Sequence, residues 1–319
     1  MCPFMALLPF AAGDVMKCSL CASKAIIYLS YSESFLCGKH LSRLVEKRAG
    51  NSMRRYGMIR GRKSIGVAVS GGKDSQSLLC IMHKLIGKDR GRKLSAVTVD
   101  EGIGGYRQNS IVKAKQLCGE LGIEHHIFRF SELAVPMDSI MEGGKTDPCS
   151  YCGVFRRWVL NRASRELGLD ALAIGHNLDD VVQTLQLNIM RNEPQRIARF
   201  TPNGGNADNP GFVPRIRPLF SIPEREIVAY ALHNEIPFHN GECPYARYAL
   251  RNPVRNFIND MEGKYPGIKF RMLNSYLSVL ELGASPGYER MGACASCGEP
   301  SSSKTCKRCS FLSSLKRNI

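Results

Sequence analysis

Apolar residues in this chain fall into short β-branched runs that alternate with longer stretches of helical spacing. Residues 64–69 are short, β-branched and apolar and stop abruptly at Ser70-Gly71-Gly72, which predicts a buried strand entering a tight turn. Over residues 74–86 Leu78, Leu79, Ile81, Met82, Leu85 and Ile86 recur at helical spacing, and Asp74 with Ser75 stands where an N-terminal cap belongs. Residues 94–99 repeat the strand pattern, 107–121 the helical one, and 124–130 and 171–174 read as a third and fourth strand. Strands alternating with helices of this length predict an α/β fold, a doubly wound parallel sheet covered on both faces. Ligands of such sheets lie beyond the carboxyl ends of the strands, where residues 70–75, 100–106, a cysteine pair and 175–180 all fall.

Around this core the pattern is simpler. Residues 25–29 and 34–36 predict a small hairpin, and 41–63 a basic helix leading into the first strand. Helices are expected over 155–167, from the turn at 175–180 through Met190, and over 222–234, 252–262 and 269–282. Residues 201–211 read as a flexible loop, 214–220 as an edge or linking segment restricted by its prolines, and 284–292 as a linker. The organisation expected is an extension (1–16), an N-terminal metal module (17–45), a catalytic unit (46–285) and a C-terminal metal ribbon (286–319).

Composition narrows the class. A chain of 319 residues with 44% apolar content can bury a sizeable core. Its 44 Lys and Arg exceed 28 Asp and Glu by 16, which favours a polyanionic partner, nucleic acid first. No apolar run is long enough for a membrane span, and residues 1–15 lack the basic start of a signal peptide. The 13 cysteines stand mostly at metal-ligand spacing rather than in a disulfide framework, which points to a cytoplasmic protein.

The candidate chemistry begins at the first turn. Two glycines between strand and helix let successive N–H groups share one concavity with the positive end of the helix, an anion site to which Lys73 adds a cation and Ser70 and Ser75 hydroxyls. A polyphosphate suits it, though the Walker spacing is absent. Gly175-His176-Asn177-Leu178-Asp179-Asp180 opens a later helix; its acids could hold Mg²⁺ beside a phosphate or cap the helix, and Asp180 is favoured for a functional role. Cys18-x-x-Cys21 with Cys37-x-x-His40, fifteen residues on, has tetrahedral zinc spacing, as does Cys294-x-x-Cys297 with Cys306-x-x-Cys309. Cys149-x-x-Cys152, with Cys243 about ninety residues later, makes three thiols. They fit an iron–sulfur cluster with one open iron, persulfide chemistry, or zinc with His239 as fourth ligand. Cys80 and Cys118 read as inert core residues.

At S-G-G-K-D-S the chain resembles the PP-loop ATP pyrophosphatases. With the P-C-x-x-C-G pair, the cysteine of E-C-P-Y, the G-H-N-x-D-D turn and the two terminal metal sites, it resembles the tRNA 2-thiouridine synthetases of the TtuA and cytoplasmic tRNA 2-thiolation family from Lys17 to Cys309. That resemblance implies ATP-dependent replacement of a tRNA uridine C2 oxygen by sulfur. Ser70, Gly71, Gly72, Lys73, Asp74 and Ser75 become the ATP loop, with Val99, Gly175 and His176 at the same pocket. Cys149, Cys152 and Cys243 become ligands of a [4Fe-4S] cluster, and Asp74, Asp180 and Arg156 catalytic residues. Mg²⁺, two Zn²⁺, a homodimer, and a sulfur donor that is free sulfide or a ubiquitin-like thiocarboxylate protein are implied too. Some relatives carry Lys where Arg156 stands, which keeps the charge but not a base. The D-E-G-I-G-G-Y-R stretch from Asp100 to Arg107 looks more like the branch acting on wobble uridine 34 than on T-loop uridine 54. Competing readings are another PP-loop tRNA-modifying ligase, which needs no cysteines, and a zinc-ribbon RNA-binding protein with a degenerate loop.

Overall fold

The computed structural model describes residues 16–143, 147–198, 200–204, 211–246, 251–281 and 291–316. In chain order it runs β1 (Ile27–Leu29), β2 (Ser34–Leu36), α1 (Gly38–Arg55), β3 (Ser64–Ala68), α2 (Lys73–Ile86), β4 (Lys93–Asp100), α3 (Arg107–Leu121), β5 (Glu124–Arg129), α4 (Phe130–Leu133), α5 (Met137–Glu142) and α6 (Pro148–Glu166). It continues with β6 (Ala171–Ala173), α7 (Leu178–Met190), α8 (Pro194–Ala198), β7 (Arg215–Ile216), α9 (Glu224–His233), α10 (Arg251–Lys264), α11 (Ile268–Glu281), β8 (Gly292–Ala293), β9 (Pro300–Ser301) and α12 (Lys307–Lys316). The extension at 1–15, most of the expected linker and the middle of the loop at 201–211 lie outside the described residues, as does Cys2.

Five strands form one sheet in the order β5-β4-β3-β6-β7, with every neighbouring pair parallel. The two-residue period of a strand divides its side chains between two cores. Ile65, Val67, Ala96, Ala171 and Ala173 face one side, against Leu78 and Leu79 of α2 and Ile227 and Tyr230 of α9. Val97, Val99 and Leu172 face the other, against Phe155, Val159 and Ala163 of α6. Burying each large apolar side chain contributes about 2 kcal/mol, so both faces need their helices. Cys80 and Cys118 lie in the first core as expected, and burial pushes each thiol up to about 11.

Three features differ from the sequence expectation. Helix α2 starts at Lys73 with Gly72 in the cap position, not at Asp74 or Ser75, because the Ser75 hydroxyl is used inside the turn. The expected edge segment supplies a fifth strand, β7, at the sheet edge. Helix α6 begins at Pro148 rather than near 155: proline suits the first helical position, and the Asp147 carboxylate accepts from Ser150 N at 3.2 Å. Cys149 and Cys152 therefore occupy its first turn.

Two small modules flank the sheet. In the first, β1 pairs antiparallel with β2, and Tyr31 between them donates to Glu226 of α9 at 2.6 Å. Arg48 of α1 donates to both oxygens of Glu226, at 3.0 and 2.9 Å, and the carboxylate is almost wholly buried. In the second, β8 and β9 precede α12, which lies on α6: Phe311 stacks on Tyr151 at 4.1 Å and the Arg308 guanidinium lies 3.6 Å above the Trp158 ring. Among the described residues no helix is long and apolar enough to cross a membrane.

Removing one member of a buried ion pair strands the other, so Glu226→Gln is expected to destabilise the protein by about 3 kcal/mol. Urea denaturation checks this; a midpoint equal to that of the unchanged chain would count against the ion pair as the tie between the first module and the sheet.

Candidate active site

The strand order reverses at β3, which places the turn after β3 beside the turn after β6 at one crevice. In the first turn the Ser75 hydroxyl accepts from Ser70 N and donates to Gly72 O, both at 3.0 Å, holding the loop closed on itself. Gly71 adopts φ +85°, and a Cβ there would lie 2.0 Å from the Ser110 carbonyl oxygen, so only glycine fits. Gly175 lets the second turn approach: a Cβ would meet Asp74 C and Ser75 N at 3.1 Å. The two turns are joined where Asn177 Nδ2 donates to Asp74 Oδ1 at 3.0 Å.

Lys73 is not a free cation. Its ammonium meets Asp74 at 2.9 Å and Glu224 at 2.6 Å. Burial works against that charge, but the two carboxylates outweigh burial and hold Lys73 well above its ordinary value. Asn177 caps α7 reciprocally with Asp180: its side chain accepts from Asp180 N at 2.9 Å. Asp180 also pairs with Arg251 at 3.1 Å; burial, then the Asp74 charge, pushes its carboxyl up to about 6. Asp180 thus caps α7 while also meeting Arg251, whereas Asp179 is buried against Lys269 and accepts from Glu224 N. Burial, then Arg217, Arg251, Arg215 and Arg156, pushes His176 down to about 3, although the side chain is solvent-accessible.

The cysteines reach the crevice from two elements. Cys149 is exposed and Cys152 buried on the first turn of α6, and Cys243 is half-buried on the segment after α9. That segment is pinned to the nucleotide turn: His239 N donates to Gly71 O and Gln76 Nε2 to Pro237 O, both at 2.8 Å. Tyr245 ties its far end to Asp138 at 2.7 Å. A cavity of about 210 Å³ has Ser70, Val97, Val99, Glu101, Arg156 and Cys243 in its walls, so the anion turn and a thiol share one space. Burial raises the Cys149 and Cys152 thiols, and at Cys152 Arg156 opposes this, donating from Nη2 to Sγ at 3.0 Å.

The terminal tetrads have a different geometry. Cys18, Cys21, Cys37 and His40, and likewise Cys294, Cys297, Cys306 and Cys309, bring their ligand atoms within 4.8 Å of one another. Sulfur pairs at 3.8 Å (Cys21, Cys37) and 3.7 Å (Cys297, Cys306) match the edge of a tetrahedron with Zn–S bonds of about 2.3 Å. Cys149, Cys152 and Cys243 do not close to that spacing. His239 does not join them as a fourth ligand either; its ring meets Tyr106 edge-on at 5.5 Å.

Sequence reasoning marked 100–106 as a region but singled out neither Glu101 within it nor Arg107 just after it for a contact of its own, and passed over Glu224 and Arg251. The signal available was a charged residue directly after an apolar strand, at the end where ligands bind.

A switch-point sheet with a glycine anion turn defines a nucleotide-binding α/β protein, here with thiols beside the nucleotide turn. The PP-loop domain family matches residues 40–262. The chain is 36% identical over 317 residues to a probable sulfurtransferase of Methanocaldococcus jannaschii, covering 96% of this chain and 90% of that one. It is 34% identical to a tRNA-5-methyluridine(54) 2-sulfurtransferase of Pyrococcus horikoshii, covering 95% and 96%. It also superposes on the U34-tRNA thiolase NcsA of Methanococcus maripaludis, solved with its [4Fe-4S] cluster, with TM-score 0.81 and 32% identity over 94% of this chain and 96% of that one. The chain therefore belongs to the PP-loop family and, within it, to the sulfurtransferases of tRNA 2-thiolation.

Two outcomes are expected. Gly71→Ala, which drives a methyl into the Ser110 backbone, lowers ATP affinity at least about tenfold by calorimetry; unchanged affinity would remove the turn from the nucleotide site. Asp180 binds a proton more tightly folded than unfolded, so the neutral form's stability is fully present below about 4 and is lost as pH rises through about 6. In ligand-free protein Asp180→Asn should therefore be more stable than the unchanged chain at pH 8, with the gap closing as pH falls through that window. A pH-independent gap would contradict the assignment.

Proposed function

We propose that this chain is an ATP-dependent tRNA sulfurtransferase that replaces the C2 oxygen of a uridine by sulfur. The observation that supports it most is the single cavity whose walls include Ser70, Val99, Arg156 and Cys243. One base inside it can meet both the nucleotide and the sulfur.

The uridine C2 carbonyl is a poor electrophile, so its oxygen must first become a leaving group. The Ser70–Ser75 turn would hold the ATP phosphates while the uridine O2 bonds to the α-phosphorus, the bond to pyrophosphate breaks and the N3 proton is lost. Loop amides and Mg²⁺ near Asp74 and Asp180 would offset the charge moving to pyrophosphate. Sulfide sulfur then bonds to C2, the C2–O bond breaks, AMP leaves with the former O2, and N3 regains a proton. Cys149, Cys152 and Cys243 would hold a [4Fe-4S] cluster of the kind in the M. maripaludis thiolase; bound there, it would supply an iron position at which sulfide is presented. Arg156 keeps a positive charge against Cys152 and, with about half of its side chain open, faces the incoming base.

The target must be unstacked to enter, which suits a loop of folded RNA. The tetrads would hold two structural Zn²⁺, in modules at 17–45 and 286–319 that flank the catalytic unit and grip the tRNA by shape and charge. The sulfur comes from free sulfide or a ubiquitin-like thiocarboxylate protein, and the reaction is cytoplasmic. Wobble uridine 34 is the proposed target, supported by the Asp100 to Arg107 stretch and the likeness to the U34 thiolase.

Anaerobically purified protein incubated with bulk tRNA, ATP and sulfide tests this by mass spectrometry of nucleosides and of anticodon-arm fragments. Thiolated uridine in the anticodon arm is expected, falling at least about a hundredfold in Cys243→Ala. Product formation unaffected by Cys243→Ala would overturn the sulfur-transfer reading, and product confined to the T-loop would move the target to position 54.

A further inference from the structure

We propose that Glu101 is a positioning residue that couples the nucleotide turn to the cysteine site through two arginines. The proposal rests on the reading that Cys149, Cys152 and Cys243 hold a cluster, and it assigns a role to a residue that the sequence reading gave none. Glu101 follows β4 directly and is only 4% exposed, yet it lies in the wall of the cavity. Its two oxygens serve two partners: Oε1 lies 2.6 Å from Arg156 Nε and Oε2 2.6 Å from Arg107 Nε. The second contact is an ion pair whose N–H is not aligned for a hydrogen bond.

Each arginine then reaches one half of the site. Arg107 Nη1 donates to the Ser70 carbonyl at 2.8 Å and to Ser110 Oγ at 2.9 Å, and its other amino group reaches Val99 O. These contacts fix the back of the anion turn. Arg156 uses Nε for Glu101 and Nη2 for Cys152 Sγ, so one planar fork spans carboxylate and sulfur. A lysine ammonium could not hold both in that geometry. The result is a continuous chain, Ser70 O to Arg107 to Glu101 to Arg156 to Cys152 Sγ. With the carboxylate closed off from bulk water these contacts are little screened, and a shift of Ser70 on phosphate binding moves the donor at the sulfur. Hydrogen bonds to cluster sulfurs raise the reduction potential, so occupancy of the ATP turn is felt at the cluster.

The test uses full-length, zinc-replete, cluster-loaded protein. The reduction potential is followed by EPR with and without ATP, ATP affinity by calorimetry, and iron and sulfide content by analysis. In the unchanged chain ATP is expected to shift the potential. Glu101→Gln should keep iron and sulfide but show a changed potential that no longer responds to ATP, and about fivefold weaker ATP binding. Glu101→Asp, which keeps the charge but is too short to reach both arginines, should lose the coupling as well, so a fold defect in one variant does not decide the matter. A Glu101→Gln potential that equals the original and still responds to ATP would overturn the proposal, as would the absence of an ATP response in the unchanged chain. Failure of the unchanged chain to take up any cluster would instead refute the sulfur reading. The nucleotide arm would then stand or fall on the ATP affinity of Glu101→Gln.

Discussion

Connections between parallel strands cross in one hand only, so a sheet whose order reverses must send its two crossovers to opposite faces. Here the reversal lies between β3 and β6. The crevice left beyond their carboxyl ends is the one place where two loops can face each other without a helix between them. Everything with chemistry collects there: the glycine turn after β3, the capped turn after β6, Glu101 after β4, and the segment carrying Cys243. The last reaches the crevice because His239 N and Pro237 O bond to Gly71 and Gln76.

Charge compensation then decides which of these groups can act. A buried charge without a partner is costly, and most charges in the crevice are matched: Lys73 by Asp74 and Glu224, Asp179 by Lys269, Asp180 by Arg251. Lys73 thus braces the turn through two carboxylates. Asp180, with its carboxyl pushed up to about 6, keeps the strongest electrostatic reason to change state when a cation or a substrate enters.

The fold was readable because its strands obey local rules. A β-branched run followed by two glycines at residues 64–72, or a run ending in Asp100-Glu101, carries its own boundary, and every central strand fell within a residue or two of its expected place. The tetrads were readable for a like reason, since a two-residue knuckle defines half a zinc site by itself. What escaped was long-range. The early start of α6 depends on Asp147 and Pro148 acting together, and β7 exists only because β6 offers it an edge. The role of Glu101 depends on two arginines six and fifty-five residues away in sequence, which no spacing announces.

The terminal modules complete the picture without entering the crevice. One is tied to α9 through Tyr31, Arg48 and Glu226, the other to α6 through Phe311 and Arg308, so both are referenced to helices that border the site. The most direct measurement of the whole account is an anaerobic crystal structure of the cluster-loaded chain with a non-hydrolysable ATP analogue. The account predicts the α-phosphate and the cluster facing each other across the cavity of Ser70 and Cys243, with room for one pyrimidine between them. A nucleotide bound elsewhere, or a cluster separated from it by the sheet, would contradict it.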